Sequence, residues 1–112
     1  MQRGDIWWVS LPGLVGSEPG YRRPVLIVQS DTFTQSTIST VLCAAVTSNL
    51  RLAAAPGNVR IAARSSGLPK PSAVNVSQVA TIDRTFLTER VKTLDVQTMR
   101  EVDEGLRLVL QL

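Results

Sequence analysis

Short apolar runs, several alternating with polar residues, follow one another along the chain up to residue 82. Alternation with a period of two is typical of a β-strand that buries one face. A continuous run of β-formers instead fits a strand that is buried on both faces. Clusters of glycine and proline separate the runs, as they do at turns. The pattern predicts five strands, at residues 5–11, 22–29, 38–46, 58–63 and 73–82.

The segments between these strands have the composition of loops. Residues 12–21 contain three glycines and two prolines, and residues 64–72 read "RSSGLPKPS". Residues 30–37 begin with good N-cap residues, which predicts a short helical turn or a loop. Trp7 and Trp8 are neighbours on the first strand and must point to opposite faces. We expect one of them in the core and the other at an interface.

The pattern changes after Asp95, which is a plausible helix N-cap. Residues 84–90 are expected to add a short helical turn before it. Strands followed by one helix predict a mainly β (α+β) fold, in which the helix packs on a small curled antiparallel sheet. Apolar residues at spacings of three and four form one face of the predicted helix: Val96, Met99, Val102, Leu106, Val109 and Leu110.

The length of 112 residues predicts one domain, residues 1–112. The longest uncharged apolar run, residues 41–46, is too short to cross a bilayer, and the start of the chain has no apolar segment of the signal-peptide kind. The single cysteine, Cys43, cannot form an internal disulfide. These features predict a soluble cytoplasmic protein.

Positive charge is concentrated before residue 83. Residues 1–82 carry seven basic and three acidic side chains, whereas residues 83–112 carry five basic and six acidic ones. Ten of the twelve cations are arginine, whose planar guanidinium pairs with phosphate through two hydrogen bonds. The charge distribution gives weak support to a polyanionic partner.

Missing residue types exclude several kinds of site. The chain has no histidine and one cysteine, so it cannot form a Ser-His-Asp or Cys-His catalytic group or a common zinc site. It also has no glycine-rich phosphate-binding loop. We therefore expect neither a metal nor a cofactor. Arg22 and Arg23 stand where a loop becomes a strand, and spacing alone favours an ordinary surface role for Arg23. A phosphate track is open to four other cations, for which a solvated face is the default: Arg51, Arg60, Arg64 and Lys70.

Five motifs occur in a fixed order: "RGDIWWVSL", "GSEPGYRRPVLIVQSD", "AAVTS", "SQVATIDRTFL" and "VDEGL". Together they resemble the MazF/PemK toxins of bacterial toxin–antitoxin systems, from Arg3 to about Leu110. The resemblance implies an SH3-like β-barrel with a C-terminal helix that acts as a homodimer. It further implies a metal-independent, sequence-specific endoribonuclease that cuts single-stranded RNA and is neutralised by a MazE-like antitoxin.

The resemblance also implies roles for individual residues. The family's catalytic arginine, directly before proline, is Arg23 here, and its catalytic threonine is Thr47. Glu18 lies in a loop that lines the RNA path in the family, and it is a possible general base. Arg22 either contacts backbone phosphate or lies in solvent. The expected RNA contacts are Gly16, Ser17, Glu18, Arg22, Ser48, Asn49, Arg51, Arg64 and Gln78.

Two departures from the family pattern concern the recognised RNA sequence. The arginine before proline is doubled, and Ser77 precedes Gln78 where relatives can carry glutamate. Two other functions stay open at this point. A CcdB-like toxin would bind DNA gyrase without cutting RNA, and a plain SH3-like module would bind a peptide or RNA through exposed aromatic residues.

Overall fold

The computed structural model describes residues 1–10 and 22–112. Within these ranges the backbone forms six strands and three α-helices, with short 3-10 helices at Leu50–Ala54 and Arg84–Phe86. The strands are β1 (Asp5–Ser10), β2 (Arg22–Ile27), β3 (Thr40–Thr47), β4 (Val59–Ile61), β5 (Ser72–Asp83) and β6 (Leu87–Thr93). The helices are α1 (Asp31–Thr34), α2 (Ala63–Ser66) and α3 (Val96–Leu110).

All six strands belong to one antiparallel sheet in the order β4-β5-β3-β2-β1-β6. The curled sheet with a C-terminal helix confirms the predicted fold class. The side chain of Asp95 accepts a hydrogen bond of 2.7 Å from the backbone N–H of Thr98, so the predicted N-cap is confirmed. No helix in the described part of the chain is long and apolar enough to span a membrane.

The sixth strand corrects the prediction for residues 84–90. Only Arg84–Phe86 is helical, and Leu87 begins β6, which pairs with β1. The sequence of β6, "LTERVKT", is mostly polar because this strand is at one end of the strand order and buries few side chains. Charged side chains are common on such edge strands, since they discourage pairing with other chains. A pattern based on buried faces therefore misses it.

Two apolar clusters lie on opposite faces of the sheet. Leu26 belongs to the larger cluster, which α3 covers through Val102, whereas Val25 and Ile27 belong to the smaller one. Trp8 packs against the larger cluster and Trp7 against the smaller, and both are half-buried. The two indoles thus take opposite faces as expected, but neither is fully buried.

Cys43 lies in the smaller cluster and is 1% exposed. Burial raises the pKa of its thiol to about 12. The thiol therefore stays protonated at neutral pH, which makes it a poor nucleophile. Its place in the core agrees with its position in an apolar run of the sequence.

An irregularity in β5 separates its two halves. Ala44 on β3 pairs with Val79, but the next residue, Ala45, pairs with Asn75. The three residues between these partners, 76–78, therefore have no partner on β3. The side chain of Asn75 holds the bulge together, because its Oδ1 accepts a hydrogen bond of 2.8 Å from the hydroxyl of Ser77 and its Nδ2 donates to Gln78 at 3.2 Å.

Candidate functional site

An open groove of about 500 Å³ lies where β2 begins and β3 ends. Its walls come from β1, β2, the end of β3 with the turn that follows, and the segment before β5. Three residues from the predicted site share this groove with Arg23: Thr47, Ser48 and Asn49. Pairing of β2 with β3 therefore brings together residues that are far apart in the sequence.

The register of the sheet explains how Arg23 meets Thr47. Val25 pairs with Ala45 in the antiparallel β2–β3 ladder. The ladder ends at this pair, and Arg23 and Thr47 lie two residues further along their strands, where both line the groove. Arg23 is exposed, so its guanidinium can be reached from solvent.

Hydrogen bonds after β3 fix the Thr47 hydroxyl. The backbone N–H of Asn49 donates to Thr47 Oγ1 at 3.1 Å. The side chain of Asn49 in turn accepts from the backbone N–H of Arg51 at 3.2 Å and caps the following 3-10 helix. This is an ordinary way to end a strand, and it also leaves the proton of the Thr47 hydroxyl able to point elsewhere.

Lys70 and Trp8 also line the groove, although the sequence favours a solvated face for Lys70 and does not assign Trp8 to the site. Lys70 brings a second cation from the segment between α2 and β5, and its backbone carbonyl accepts a hydrogen bond of 3.1 Å from Ser72 Oγ. The glycine and proline residues around it indicated only a loop. Folding places this loop beside β3, which no local pattern reveals.

The groove is electrostatically positive in the part that the structure describes. Arg23 and Lys70 line it, and no acidic side chain from residues 1–10 or 22–112 does. These residues also contain no group of three histidine, cysteine, aspartate or glutamate side chains that could hold a metal ion. The predicted loop residues Gly16, Ser17 and Glu18 lie outside the described residues.

The other predicted RNA contacts do not line the groove. Arg51 is exposed on the 3-10 helix Leu50–Ala54, which follows β3. Arg64 is on α2, and its backbone carbonyl accepts a hydrogen bond from Lys92. Gln78 is exposed within the β5 bulge. Arg22 forms an ion pair of 2.8 Å with Glu89.

Comparisons with known proteins agree with this fold. A family model described as "PemK-like, MazF-like toxin of type II toxin-antitoxin system" matches residues 2–110. The chain is 46% identical to "Endoribonuclease MazF6" of Mycobacterium tuberculosis over 112 residues, which cover 100% of this chain and 98% of that protein. It is 37% identical to "Endoribonuclease EndoA" of Bacillus subtilis, with 100% and 96% covered.

A solved structure resembles the fold at lower sequence identity. It is described as an "Endoribonuclease in complex with its cognate antitoxin from Mycobacterial species". The TM-score is 0.81 at 20% identity, with 100% of this chain and 96% of that chain covered. The family match over nearly the whole sequence confirms the resemblance seen in the motifs: this chain belongs to the PemK-like, MazF-like toxins of type II toxin–antitoxin systems.

Proposed function

We propose that this chain is an endoribonuclease toxin that cuts single-stranded RNA, and that the groove around Arg23 is where it cuts. The family match and the names of its relatives support the class of enzyme. The observation that carries the location is the β2–β3 register, which brings Arg23 and Thr47 to one positively charged groove.

The reaction needs no metal because the substrate contains its own nucleophile. The ribose 2'-oxygen attacks the adjacent phosphorus, and the bond from phosphorus to the 5'-oxygen breaks. The products are a 2',3'-cyclic phosphate and a 5'-hydroxyl. A fixed groove assists by aligning the attacking and leaving oxygens.

Arg23 and Thr47 stabilise the charge that develops on the phosphate. The guanidinium donates two hydrogen bonds to non-bridging oxygens, and the Thr47 hydroxyl donates a third because its oxygen already accepts from Asn49. Removing one such aimed donor typically raises the barrier by roughly 2.7–4 kcal/mol. Lys70, which also lines the groove, adds positive charge.

Two proton transfers complete the reaction. The 2'-hydroxyl loses its proton to a base, and the 5'-oxygen gains one. Arginine keeps its proton in proteins, which makes Arg23 a poor base and a reluctant acid, and the acid role that we give it rests on the family resemblance alone. Glu18 is our candidate for the base, since no acidic side chain among the described residues lines the groove.

RNA rather than DNA is the substrate, because DNA lacks the attacking hydroxyl. Single strands expose base edges to polar side chains, whereas an RNA duplex hides them in a deep, narrow groove. Ser48 and Asn49 are the nearest candidates for such contacts. Arg51, Arg64 and Gln78 would meet a strand that extends beyond the groove.

Two protein partners complete the proposal, namely a second copy of this chain and a MazE-like antitoxin in the cytoplasm. The solved relative described with its cognate antitoxin supports the second. Exposed apolar side chains close together near the end of α3 offer a surface for the homodimer, since clustered exposed apolar groups mark interaction sites. They are Leu108, Val109, Leu110 and Leu112.

The test is incubation of the purified chain, and of Arg23→Ala, with a long single-stranded RNA in EDTA. We expect discrete fragments with 2',3'-cyclic phosphate ends from the first and intact RNA from the second. The alternative, a gyrase-binding toxin, is not favoured because the relatives are named endoribonucleases. If the folded dimer left RNA intact and inhibited DNA supercoiling by gyrase, the gyrase-binding toxin would be favoured over the endoribonuclease.

A further inference from the structure

Arg22 is stacked on Trp8 beside the groove. The guanidinium carbon of Arg22 lies over the indole, 4.6 Å from the ring centroid. Its Nη2 donates a hydrogen bond of 2.8 Å to Glu89 Oε1. Two contacts therefore hold this side chain, one with the indole and one with the carboxylate.

The sheet register explains why these three side chains meet. Trp8 on β1 pairs with Glu89 on β6 and with Pro24 on β2. Directly paired residues share a face of an antiparallel sheet, and residues two apart on one strand also share a face. Arg22 is two residues before Pro24, so it lies on the same face as Trp8 and Glu89. The stack therefore spans three neighbouring strands.

The two consecutive arginines consequently have different surroundings. Arg23 lines the groove and points to the opposite side of β2 from Arg22. The ion pair with Glu89 offsets the charge of Arg22. Its side chain is still 44% exposed although the indole covers one of its planes. Much of the side chain is therefore still accessible to a ligand.

We propose that Arg22, held between Trp8 and Glu89, is a stacking platform for one nucleobase of the bound strand. Bases that are splayed out of a single strand stack on guanidinium planes and aromatic rings. The platform adjoins the groove because Trp8 lines it. This inference rests on the proposed function and deepens it: Arg23 meets a phosphate, and Arg22 meets a neighbouring base.

The test measures binding of a single strand that cannot be cut. The probe is a mixed-sequence RNA whose 2'-hydroxyls are replaced by fluorine, and its partner probe carries abasic sugars throughout. Arg22→Ala should weaken binding of the first probe by about 5- to 150-fold, the range for one stacked base. It should leave binding of the abasic probe unchanged. Arg60→Ala is the matched control, because Arg60 is exposed on β4 and does not line the groove.

Two further variants separate stacking from charge. Arg22→Lys keeps the charge but loses the plane, so it should bind as weakly as Arg22→Ala. Glu89→Gln removes a negative charge near the strand, which would strengthen a purely electrostatic contact. Because it also releases the guanidinium, a stacking platform predicts weaker binding instead. Thermal melting of each variant checks that the fold is retained.

Several results would overturn the platform. Arg22→Lys could restore wild-type affinity, or Arg22→Ala could weaken both probes equally. Arg22→Ala could also lower the dependence of log K on log salt by about 0.7, as loss of one phosphate contact does on a single strand. Each would make Arg22 a phosphate contact. Cleavage of unmodified RNA by the wild-type chain is scored separately, so failure of the platform and failure of the nuclease assignment are distinguishable.

Discussion

The backbone N–H of Asn49 donates a hydrogen bond of 3.1 Å to the hydroxyl oxygen of Thr47. That bond uses an acceptor site of the hydroxyl and leaves its proton to donate. A donor that is fixed before the substrate arrives needs no reorganisation during the reaction. Thr47 is therefore suited to stabilise charge on phosphate rather than to remove a proton.

We expect Thr47→Val to lower kcat for RNA cleavage by about 10²- to 10³-fold, because valine keeps the shape but removes the donor. Thr47→Ser keeps the hydroxyl and should retain most of the activity. Single-turnover cleavage of an RNA that contains one cut site measures both. Equal losses in the two variants would show that Thr47 serves only to shape the end of β3.

Lys70 should contribute to RNA binding through charge alone. Lys70→Ala removes one cation from the groove wall and should lower the salt dependence of binding, as the slope of log K against log salt, by about 0.7. Lys70→Arg preserves the charge and should leave that slope unchanged. Binding to a strand that cannot be cut, measured over a range of salt concentrations, gives the slopes. An unchanged slope in Lys70→Ala would remove Lys70 from the site.

Most of the fold can be predicted from the local sequence pattern, and the errors of that prediction have a physical origin. The alternation in residues 73–82 and the three- and four-residue spacing after Asp95 predict β5 and α3, and both elements are found in the structure. The predicted apolar face of α3 is only partly buried: Val102 is buried, whereas Val96, Val109 and Leu110 are exposed. The edge strand β6 has few buried side chains, so the pattern was too weak to identify it. Asp5, which is 1% exposed, also gave no local sign of burial.

Some residues of the candidate site can likewise be predicted from the sequence, whereas others are identified only by the folded structure. The motifs identify Arg23 and Thr47, but their meeting in one groove depends on the pairing of β2 with β3, which local pattern does not specify. Local pattern favours a solvated face for Lys70 and does not place Trp8 at the site, because both reach the groove only through tertiary packing. The Arg22–Glu89 ion pair likewise joins residues that lie 67 apart in the sequence. The catalytic roles themselves stay predictions.

Gly105 on α3 contacts the turn at Gly57 so closely that a side chain does not fit. A Cβ on Gly105 would collide with the backbone carbonyl of Gly57. Gly105→Ala improves helix propensity by up to about 1 kcal/mol, but the collision is with rigid backbone. We expect a net loss of about 1–3 kcal/mol in the free energy of unfolding.

Denaturant unfolding tests this expectation, with Glu101→Ala as the control at an exposed position of the same helix. The control should change stability by less than about 0.5 kcal/mol. If Gly105→Ala proves as stable as the control, α3 must be able to move away from the turn without loss. Tight packing between the helix and this turn would then be unnecessary for the fold.

Asp5 should make the fold sensitive to acid. Burial alone would raise the pKa of its carboxyl, but hydrogen bonds from the Thr93 hydroxyl and the Gln2 backbone, together with the Arg90 guanidinium, outweigh burial and lower it. A carboxylate whose pKa is lower in the folded state stabilises the fold above its unfolded pKa. That contribution is lost as the pH falls through the folded pKa.

We expect Asp5→Asn to unfold at a lower temperature than wild type at neutral pH, with a loss of about 1.5–3 kcal/mol. The difference should shrink as the pH falls towards about 3, because protonation weakens the wild-type contacts as well. Asp83 and Asp95 also have lowered pKa values, through backbone hydrogen bonds from Thr85 and Thr98. Their effects are common to both proteins and cancel in the comparison. Thermal melts at several pH values measure the difference, and a gap that stays constant down to acid pH would mean that the charge of Asp5 contributes nothing.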